Sequence, residues 1–279
     1  MNSICFNGKI VSGEEPVLLA SNRSYRYGDG IFETMKVLNG NILLTTCHFE
    51  RLFASLSLLK FEIPKLFAKE KLEQDILNLC RKNDCEKLAR VRLSVFRGNG
   101  GLYDEDKMLQ YIIECRPLNE SVNRLNENGL VIDIYPDAEK NCDKFSNLKS
   151  ASFQLYSMAA LFAKENKLND CLVLNTAGSI ADSTIANLFL IKQEIIITPS
   201  LQEGGINGVM RRHLLTELQN AGWKTQEMAV SVIDIKNADE VFLTNAINGI
   251  RWVRQFRDKV YTKVKTVEIY NRFVKTITA

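Results

Sequence analysis

Hydrophobic and polar residues alternate with a period of two along residues 31–37. Ile31, Met35 and Val37 share one side of that pattern with the charged Glu33, which predicts a strand. Asn-Gly at 39–40 predicts a tight hairpin after it. Alternation and helical spacing predict the other elements of this half of the chain: helices from about 46 to 63 and over 68–81, strands over 89–96 and 108–115, and glycine-rich loops over 22–30 and 97–103.

The polar, proline-containing stretch 117–127 is the best candidate for a linker. It divides the chain into a small α/β N-terminal domain, residues 1–116, and a larger C-terminal domain, residues 128–279. The larger domain is rich in strands. Its pattern predicts strands over 129–135, 171–174, 187–192, 195–198, 225–230, 240–244 and 250–254, with helices over 209–221 and 264–276.

Lys149 precedes an apolar stripe that recurs at helical spacing. The stripe predicts an amphipathic helix with the lysine at its entrance, and its apolar members are Phe153, Leu155, Tyr156, Met158, Ala159, Leu161 and Phe162. A lysine at the mouth of a buried helix is partly desolvated, and desolvation lowers its pKa, as Schiff-base chemistry requires. The alternative interpretation is a solvated lysine ahead of a helix, which is where most lysines lie.

Composition narrows the chemistry. The chain has 279 residues with 36 basic and 33 acidic side chains, so its charge gives no case for nucleic acid or a membrane surface as partner. The sequence shows no signal peptide and no apolar run of membrane-spanning length. Seven scattered cysteines form no metal-ligand spacing, which favours a reducing cytoplasm and no metal site. Only two histidines are present, so acid–base catalysis needs lysine, carboxylates or a cofactor.

Four features together match the requirements of pyridoxal 5′-phosphate. Lys149 offers an imine-forming amine, Asp182 a carboxylate for a ring nitrogen, and the glycine-rich turn 204–208 a helix start that suits a phosphate. Arg51 offers a second phosphate anchor. Each feature alone has a common structural explanation: a loop carboxylate for Asp182, an ordinary turn for 204–208, and a solvated helix face for Arg51.

The sequence resembles the class IV aminotransferase family, the fold-type IV pyridoxal-phosphate enzymes. The resemblance runs from Tyr27 to Val253 and rests on five stretches in the family's order: Tyr-Gly-Asp-Gly-Ile-Phe-Glu-Thr at 27–34, His-Phe-Glu-Arg-Leu at 48–52, Leu-Lys at 148–149, residues 178–189, and Gly-Ile-Asn-Gly-Val-Met-Arg at 205–211. It implies a two-domain fold, the cofactor pyridoxal 5′-phosphate, a small-molecule substrate and a homodimer.

The resemblance also implies roles for individual residues. Lys149 forms the Schiff base and moves protons, while Asp182 replaces the family's usual glutamate at the ring nitrogen. Arg51 and the backbone at Gly208, Val209 and Met210 hold the phosphate. A hydroxyl residue often completes the phosphate site in the aminotransferases, but this chain has Ala246 at the corresponding position.

The substrate side of the site depends on the branch of the family. Arg97 is predicted to hold a substrate carboxylate, and Tyr27 and Arg26 to form a pocket wall and a second anion contact; for these two, packing in a loop is an equal alternative.

The segment 205–211 looks most like the 4-amino-4-deoxychorismate lyases, which makes that β-elimination the leading hypothesis. An amino-acid transaminase of the branched-chain or D-amino-acid type is the main alternative. A non-catalytic protein that binds the cofactor is a further one.

Overall fold

The computed structural model describes residues 3–104 and 108–278. Contacts divide the chain into two compact units. Unit 1 contains Met1–Glu120 together with Lys149–Phe153, and unit 2 contains Ser121–Leu148 and Gln154–Ala279. The segment Lys149–Phe153 thus belongs with the N-terminal unit, although it is distant from that unit in sequence. The boundaries 1–116 and 128–279 stay predictions of how the chain is organised into domains.

Unit 1 is a six-stranded antiparallel sheet with helices packed on it. The strand order is β2-β1-β6-β5-β3-β4. Its elements are β1 (Ser3–Phe6), β2 (Lys9–Ser12), α1 (Arg23–Tyr27), β3 (Gly30–Leu38), β4 (Asn41–Ile42), α2 (Thr45–Leu58), α3 (Lys69–Lys82), β5 (Leu88–Arg97) and β6 (Leu109–Pro117). Strands β3 and β5 pair over nine residues, from Gly30 opposite Phe96 to Leu38 opposite Leu88. This long ladder fixes the direction of every side chain on β3.

The core of unit 1 lies between this sheet and helices α2 and α3. Leu52 and Leu56 of α2 and Leu72 and Ile76 of α3 are buried in it. Three cysteines, Cys80, Cys85 and Cys115, also meet there, with all three sulfur atoms within 4.8 Å of one another. Hydrogen bonding within the trio and burial raise the pKa of the Cys80 thiol, and burial raises that of Cys85 to about 12. These two sulfurs therefore stay protonated and serve as small core side chains.

The prediction of a loop over residues 22–30 is wrong at its centre, because α1 forms there. The Asn22 side chain accepts hydrogen bonds from the backbone N–H groups of Ser24 and Tyr25, which caps the helix start. Gly28 ends it in the left-handed conformation (φ 65°). A single turn bounded by these two residues is too short to show helical periodicity, and for that reason the pattern of apolar residues could not reveal it.

Unit 2 is built on a nine-stranded mixed sheet. Its strand order is β12-β11-β10-β13-β14-β7-β8-β9, with β15 pairing on β14. The strands are β7 (Leu130–Ile134), β8 (Asp170–Leu174), β9 (Ile180–Ser183), β10 (Asn187–Lys192), β11 (Ile195–Pro199), β12 (Thr225–Met228), β13 (Glu240–Asn245), β14 (Gly249–Phe256) and β15 (Lys259–Val260). Most neighbours are antiparallel, but β7 pairs in parallel with both β8 and β14, and β11 pairs in parallel with β12.

The helices of unit 2 are α4 (Gln154–Glu165), α5 (Val209–Asn220), α6 (Val232–Lys236), α7 (Val264–Ile269) and α8 (Lys275–Thr278), with a π-helical turn, Tyr270–Val274, between the last two. Short 3-10 turns lie at Glu120–Asn123 and Leu201–Glu203. Leu188, Leu190, Val241 and Val253 are buried at the centre of the unit's core. None of the helices in the described ranges 3–104 and 108–278 is long and apolar enough to cross a membrane.

Lys149 does not lie at the entrance of the helix that follows it, which corrects the prediction. Helix α4 begins at Gln154, and Lys149–Phe153 lies outside it, with Ser150 forming an isolated bridge to Ile31 of β3. The N–H of Phe32 donates to the Lys149 carbonyl (2.9 Å), and the N–H of Ala151 donates to the Gly30 carbonyl (2.8 Å). These bonds to β3 are long-range, so helical periodicity could not show them. The predicted stripe is also partly exposed, because Met158 and Leu161 are 44% and 46% accessible.

Candidate active site

A buried cluster of charge joins strand β3 to helix α2 in unit 1. Glu33 is a charged residue on an apolar face of β3, and its side chain is nevertheless buried, at 2% exposure. Arg51 grips it with two hydrogen bonds, Nε to Oε1 at 2.7 Å and Nη2 to Oε2 at 2.6 Å. His48 Nδ1 lies 2.6 Å from the Glu33 Oε2 atom. Positions 48 and 51 are one helical turn apart, so both side chains reach the same carboxylate.

The electrostatics of this cluster set its protonation. Burial alone opposes ionisation of Glu33, but Arg51 and His48 outweigh it and hold the pKa of Glu33 at about 2. Burial lowers the pKa of His48, and the nearby Glu33 only partly offsets it. A neutral His48 that donates from Nδ1 to an ionised Glu33 presents a bare Nε2. The cluster therefore holds an ionised glutamate, a guanidinium and a neutral imidazole.

Lys149 is surrounded by aromatic side chains within unit 1. Its Nζ lies 4.5 Å from the centre of the Phe32 ring and 5.8 Å from that of Phe153. The two rings meet edge to face at 5.4 Å. The guanidinium of Arg92 lies over the Phe32 ring at 3.7 Å. The Lys149 ammonium is thus partly screened from water. The backbone carbonyl of Lys149 accepts a hydrogen bond from the N–H of Phe32, the residue before Glu33.

The structure ties Arg97 into unit 1, where the sequence predicted a substrate contact. Its Nη1 donates to Asp29 Oδ1 at 2.6 Å, its Nη2 donates to the Leu59 carbonyl at 2.5 Å, and its guanidinium lies over Phe61. Arg26 and Tyr27 are on the exposed side of α1. Arg26 Nε donates to the Ala20 carbonyl, and Tyr27 is 43% exposed.

Asp182 lies in β9 of unit 2 and is 1% exposed. The Ile206 N–H donates to its Oδ2 at 2.9 Å. The Tyr156 hydroxyl lies 3.0 Å from Oδ2 and 3.1 Å from Oδ1. Lys140 Nζ is 3.7 Å from Oδ2. A buried carboxylate with a cation, a phenol and a backbone donor around it is held in one orientation.

The glycine-rich turn before α5 packs against β9 and the first residue of β10. A Cβ on Gly205 would overlap the Ala181 carbonyl, and one on Gly208 would overlap the Asn187 side chain. Asn187 Nδ2 donates to the Ile206 carbonyl at 2.8 Å. Gly208 is the N-cap of α5, and a glycine has no side chain to bond the first N–H groups, which include those of Val209 and Met210. This helix start suits an anion.

Two buried polar atoms lack a hydrogen-bond partner among the described residues. They are His48 Nε2 in unit 1 and Thr244 Oγ1 in unit 2, where Thr244 pairs with Asn187 across β10 and β13. Buried polar groups are normally satisfied, so both atoms are available to a bound group. Within unit 2, the Asp182 carboxylate, the Thr244 hydroxyl and the start of α5 are groups that suit the ring nitrogen and phosphate of a phosphorylated pyridine cofactor. Within unit 1, Lys149 offers an amine that suits its aldehyde carbon.

Sequence reasoning missed several residues of these clusters. Glu33 carried a readable signal, because it is a charged residue on the apolar side of an alternating strand. His48 was visible only as part of a motif. Lys140, Tyr156 and Arg92 gave no local signal, because each contacts its partner through tertiary packing.

Comparison with known proteins identifies the family of the chain. Residues 30–256 match the family model described as amino-transferase class IV. The chain belongs to this family. The class IV aminotransferases are pyridoxal-phosphate enzymes, so this is a pyridoxal-phosphate-dependent enzyme, as its resemblance to the family implied. The predicted fold class, fold type IV with a strand-rich larger part, is confirmed.

The relatives of the chain have different reactions in their names. It is 28% identical to an aminodeoxychorismate lyase of Bacillus subtilis over 258 residues, 88% of this chain and 83% of the relative. It is 22% identical to a D-alanine aminotransferase of Listeria monocytogenes over 99% of this chain and 96% of the relative. A branched-chain aminotransferase of Thermoproteus uzoniensis has the same fold, with a TM-score of 0.88, 19% identity, and 99% and 95% of the two chains covered.

Proposed function

We propose that this enzyme is a 4-amino-4-deoxychorismate lyase that releases pyruvate and 4-aminobenzoate. The observation that carries the proposal is the segment Gly205-Ile206-Asn207-Gly208-Val209-Met210-Arg211. Its sequence looks most like that of the lyase branch, its two glycines pack without room for a side chain, and its Ile206 N–H binds Asp182. The 28% identity to the Bacillus subtilis lyase gives the proposal further support.

By the family resemblance, four parts of the chain would bind the cofactor. Lys149 would carry it, and Asp182 would accept a hydrogen bond from its ring nitrogen. Arg51 and the N–H groups of Val209 and Met210, at the glycine cap Gly208, would bind its phosphate. When bound, the cofactor supplies an electron-withdrawing ring that stabilises negative charge at the carbon bearing the substrate amine.

The reaction then needs one proton moved and one group lost. Lys149 Nζ would take the proton from the substrate carbon that bears the amino group. The carbon–oxygen bond to the enolpyruvyl group breaks, this group takes up a proton, and it leaves as pyruvate. The remaining ring becomes aromatic, which drives the step. Phe32 and Phe153, which flank Lys149, would keep water from the amine.

Arg97, Tyr27 and Arg26 are our candidates for the substrate side of the site. Arg97 is a guanidinium with a fixed fork that suits a carboxylate. Because its Nη2 and Nη1 are bonded to the Leu59 carbonyl and to Asp29, binding a substrate requires it to exchange one of these contacts.

A coupled assay on enzymatically generated aminodeoxychorismate tests the proposal, with pyruvate and 4-aminobenzoate both measured. We expect the wild type to form one pyruvate for each 4-aminobenzoate. Lys144→Ala, a change at an exposed lysine, should do the same. Lys149→Ala should lose at least 10³-fold in rate, because it removes the general base and the attachment point together. A wild type that forms neither product overturns the lyase proposal.

An amino-acid transaminase is the second candidate, favoured by the match to a D-alanine aminotransferase over 99% of this chain. The test is an absorption spectrum of the loaded enzyme with L- or D-alanine and no acceptor. Ready conversion of the cofactor to its amine form, in an enzyme that forms no 4-aminobenzoate, would establish this alternative. A protein that binds the cofactor and does neither reaction would match the non-catalytic alternative.

We also propose a homodimer located in the cytoplasm. The family resemblance supports the dimer, and all seven cysteines are free thiols, as a reducing compartment requires. Sedimentation of a monomer at micromolar concentration would overturn the dimer.

A further inference from the structure

The carboxylate that the family resemblance assigns to the ring nitrogen is part of a larger buried cluster in unit 2. We propose that Lys140 and Tyr156 are positioning residues for Asp182. They weaken the attraction between the Asp182 carboxylate and a protonated ring nitrogen of the cofactor. This inference rests on the proposed role of Asp182. It extends that role by naming the groups that decide how strongly the ring withdraws electrons.

Tyr156 projects from the first turns of α4 onto Asp182. Its side chain is buried, and its hydroxyl hydrogen points at a carboxylate whose two oxygens lie 3.0 and 3.1 Å away. Burial and the nearby Asp182 both raise the pKa of Tyr156, so the phenol remains a donor. The Tyr156 phenol is therefore one of the groups that hold the Asp182 carboxylate in place.

Lys140 supplies the charge in this cluster. Its Nζ donates to the Tyr156 hydroxyl and lies 3.7 Å from Asp182 Oδ2, with the side chain only 11% exposed. Its backbone is fixed at the β8–β9 turn, since its N–H donates to the Leu174 carbonyl and its carbonyl accepts from the Thr176 N–H. The backbone position of Lys140 is therefore fixed, and burial of its side chain keeps the ammonium near Asp182.

The sign of the effect follows from charge. A lone buried carboxylate strongly favours a cation beside it, and a protonated ring nitrogen is such a cation. Lys140 already provides one positive charge to Asp182, directly and through the phenol. A second cation at the same carboxylate gains less attraction and is repelled by the ammonium. The ring nitrogen should consequently hold its proton less tightly than it would beside an unpaired aspartate.

A weaker electron sink suits the proposed reaction. Loss of the enolpyruvyl group is driven by formation of an aromatic ring, whereas transfer of an amino group to the cofactor has no such driving force. The cluster would then favour elimination over transamination in one and the same scaffold.

The direct test is nitrogen NMR of the full-length holoenzyme loaded with cofactor labelled with ¹⁵N at the ring nitrogen. The shift of this nucleus reports its protonation without reference to turnover. We expect Lys140→Met to raise the proton-binding constant of the ring nitrogen by about tenfold or more, since loss of the ammonium 3.7 Å from Asp182 Oδ2 leaves this carboxylate a stronger attraction for another cation. Lys140→Arg should restore the wild-type signal. Lys144→Met, at an exposed lysine in the same segment, is the matched control.

Tyr156→Phe provides a second route if Lys140→Met does not bind the cofactor. It removes the bridging hydroxyl and keeps the ring, so the same signal should move in the same direction by a smaller amount. An unchanged ¹⁵N signal in every cofactor-loaded variant overturns the inference, whatever the activities are. Absence of lyase activity together with the expected shift overturns the proposed reaction and leaves the inference standing.

Discussion

Two buried carboxylates, one in each unit, are neutralised in different ways. Glu33 of unit 1 receives Arg51 directly, through two hydrogen bonds of 2.6 and 2.7 Å. Asp182 of unit 2 has its cation 3.7 Å away, with the Tyr156 hydroxyl between them. A direct bidentate pair holds a carboxylate permanently ionised as part of the fold. A cation shared through a phenol compensates the charge and leaves carboxylate oxygen for another partner.

The difference matters because both clusters lie close to residues that the family resemblance assigns to the cofactor. Arg51, which is expected to bind the phosphate, already forms two hydrogen bonds with Glu33. The ionised Glu33 therefore orients the guanidinium. In unit 2 the corresponding supporting groups act on the carboxylate itself. Unit 1 thus fixes a cation with an anion, and unit 2 fixes an anion with a cation.

The largest expected effect comes from removing the cation of the direct pair. Arg51→Met leaves Glu33 buried with His48 as its main partner, and unfolding free energy should fall by about 3–5 kcal/mol. Thermal or urea denaturation of the cofactor-free chain measures it. Arg81→Met, at an exposed arginine on α3, is the control and should change stability by less than about 0.5 kcal/mol. Equal losses for both variants would contradict the importance of the buried pair.

Acid should unfold the protein partly through Glu33. Its pKa in the folded protein is about 2 against an ordinary value of 4.5, so its contribution is complete above pH 4.5 and is lost as the pH falls toward 2. The difference corresponds to about 3 kcal/mol. We expect the unfolding free energy of Glu33→Gln to be lower than that of the wild type at pH 6 and to fall less steeply below pH 4.5. Parallel pH profiles would refute this account.

A backbone change should disturb only the unit 2 carboxylate. In Gly205→Ala the new methyl group overlaps the Ala181 carbonyl, and backbone cannot yield as a flexible side chain does. The turn must move, which weakens the Ile206 N–H bond to Asp182, at a cost of about 2 kcal/mol. Gly101→Ala, where the nearest atoms are at ordinary contact distance, is the matched control in unit 1. Denaturation midpoints that coincide for the two variants would argue against a tight turn.

The smallest expected effect is that of the bridging phenol on stability. Tyr156→Phe removes the hydrogen bond to Asp182 and the acceptor for Lys140 Nζ. Because Asp182 keeps the Ile206 N–H and the nearby Lys140 charge, we expect a loss of about 1.5 kcal/mol. Tyr135→Phe, at another buried tyrosine of unit 2, is the comparison. A loss from Tyr156→Phe as large as that from Arg51→Met would mean that Asp182 depends on its phenol as strongly as Glu33 depends on its arginine.

The sequence by itself determined the family, most of the strands and the longer helices. Residues 187–192 and the helix start at 209 were predicted at their observed positions, because a short apolar run and a glycine before a helix are local signals. The five motifs in the family's order predicted the fold class. Glu33 was visible as a charge on an apolar face.

Only the tertiary structure decided how the side chains meet. The position of Lys149–Phe153 beside β3 depends on hydrogen bonds to Gly30 and Phe32, more than a hundred residues earlier. The contacts of Lys140 and Tyr156 with Asp182 join a loop, a helix and a strand. Periodicity describes which face of one element is apolar. It holds no information on which distant polar groups share a buried space, because that depends on packing between elements.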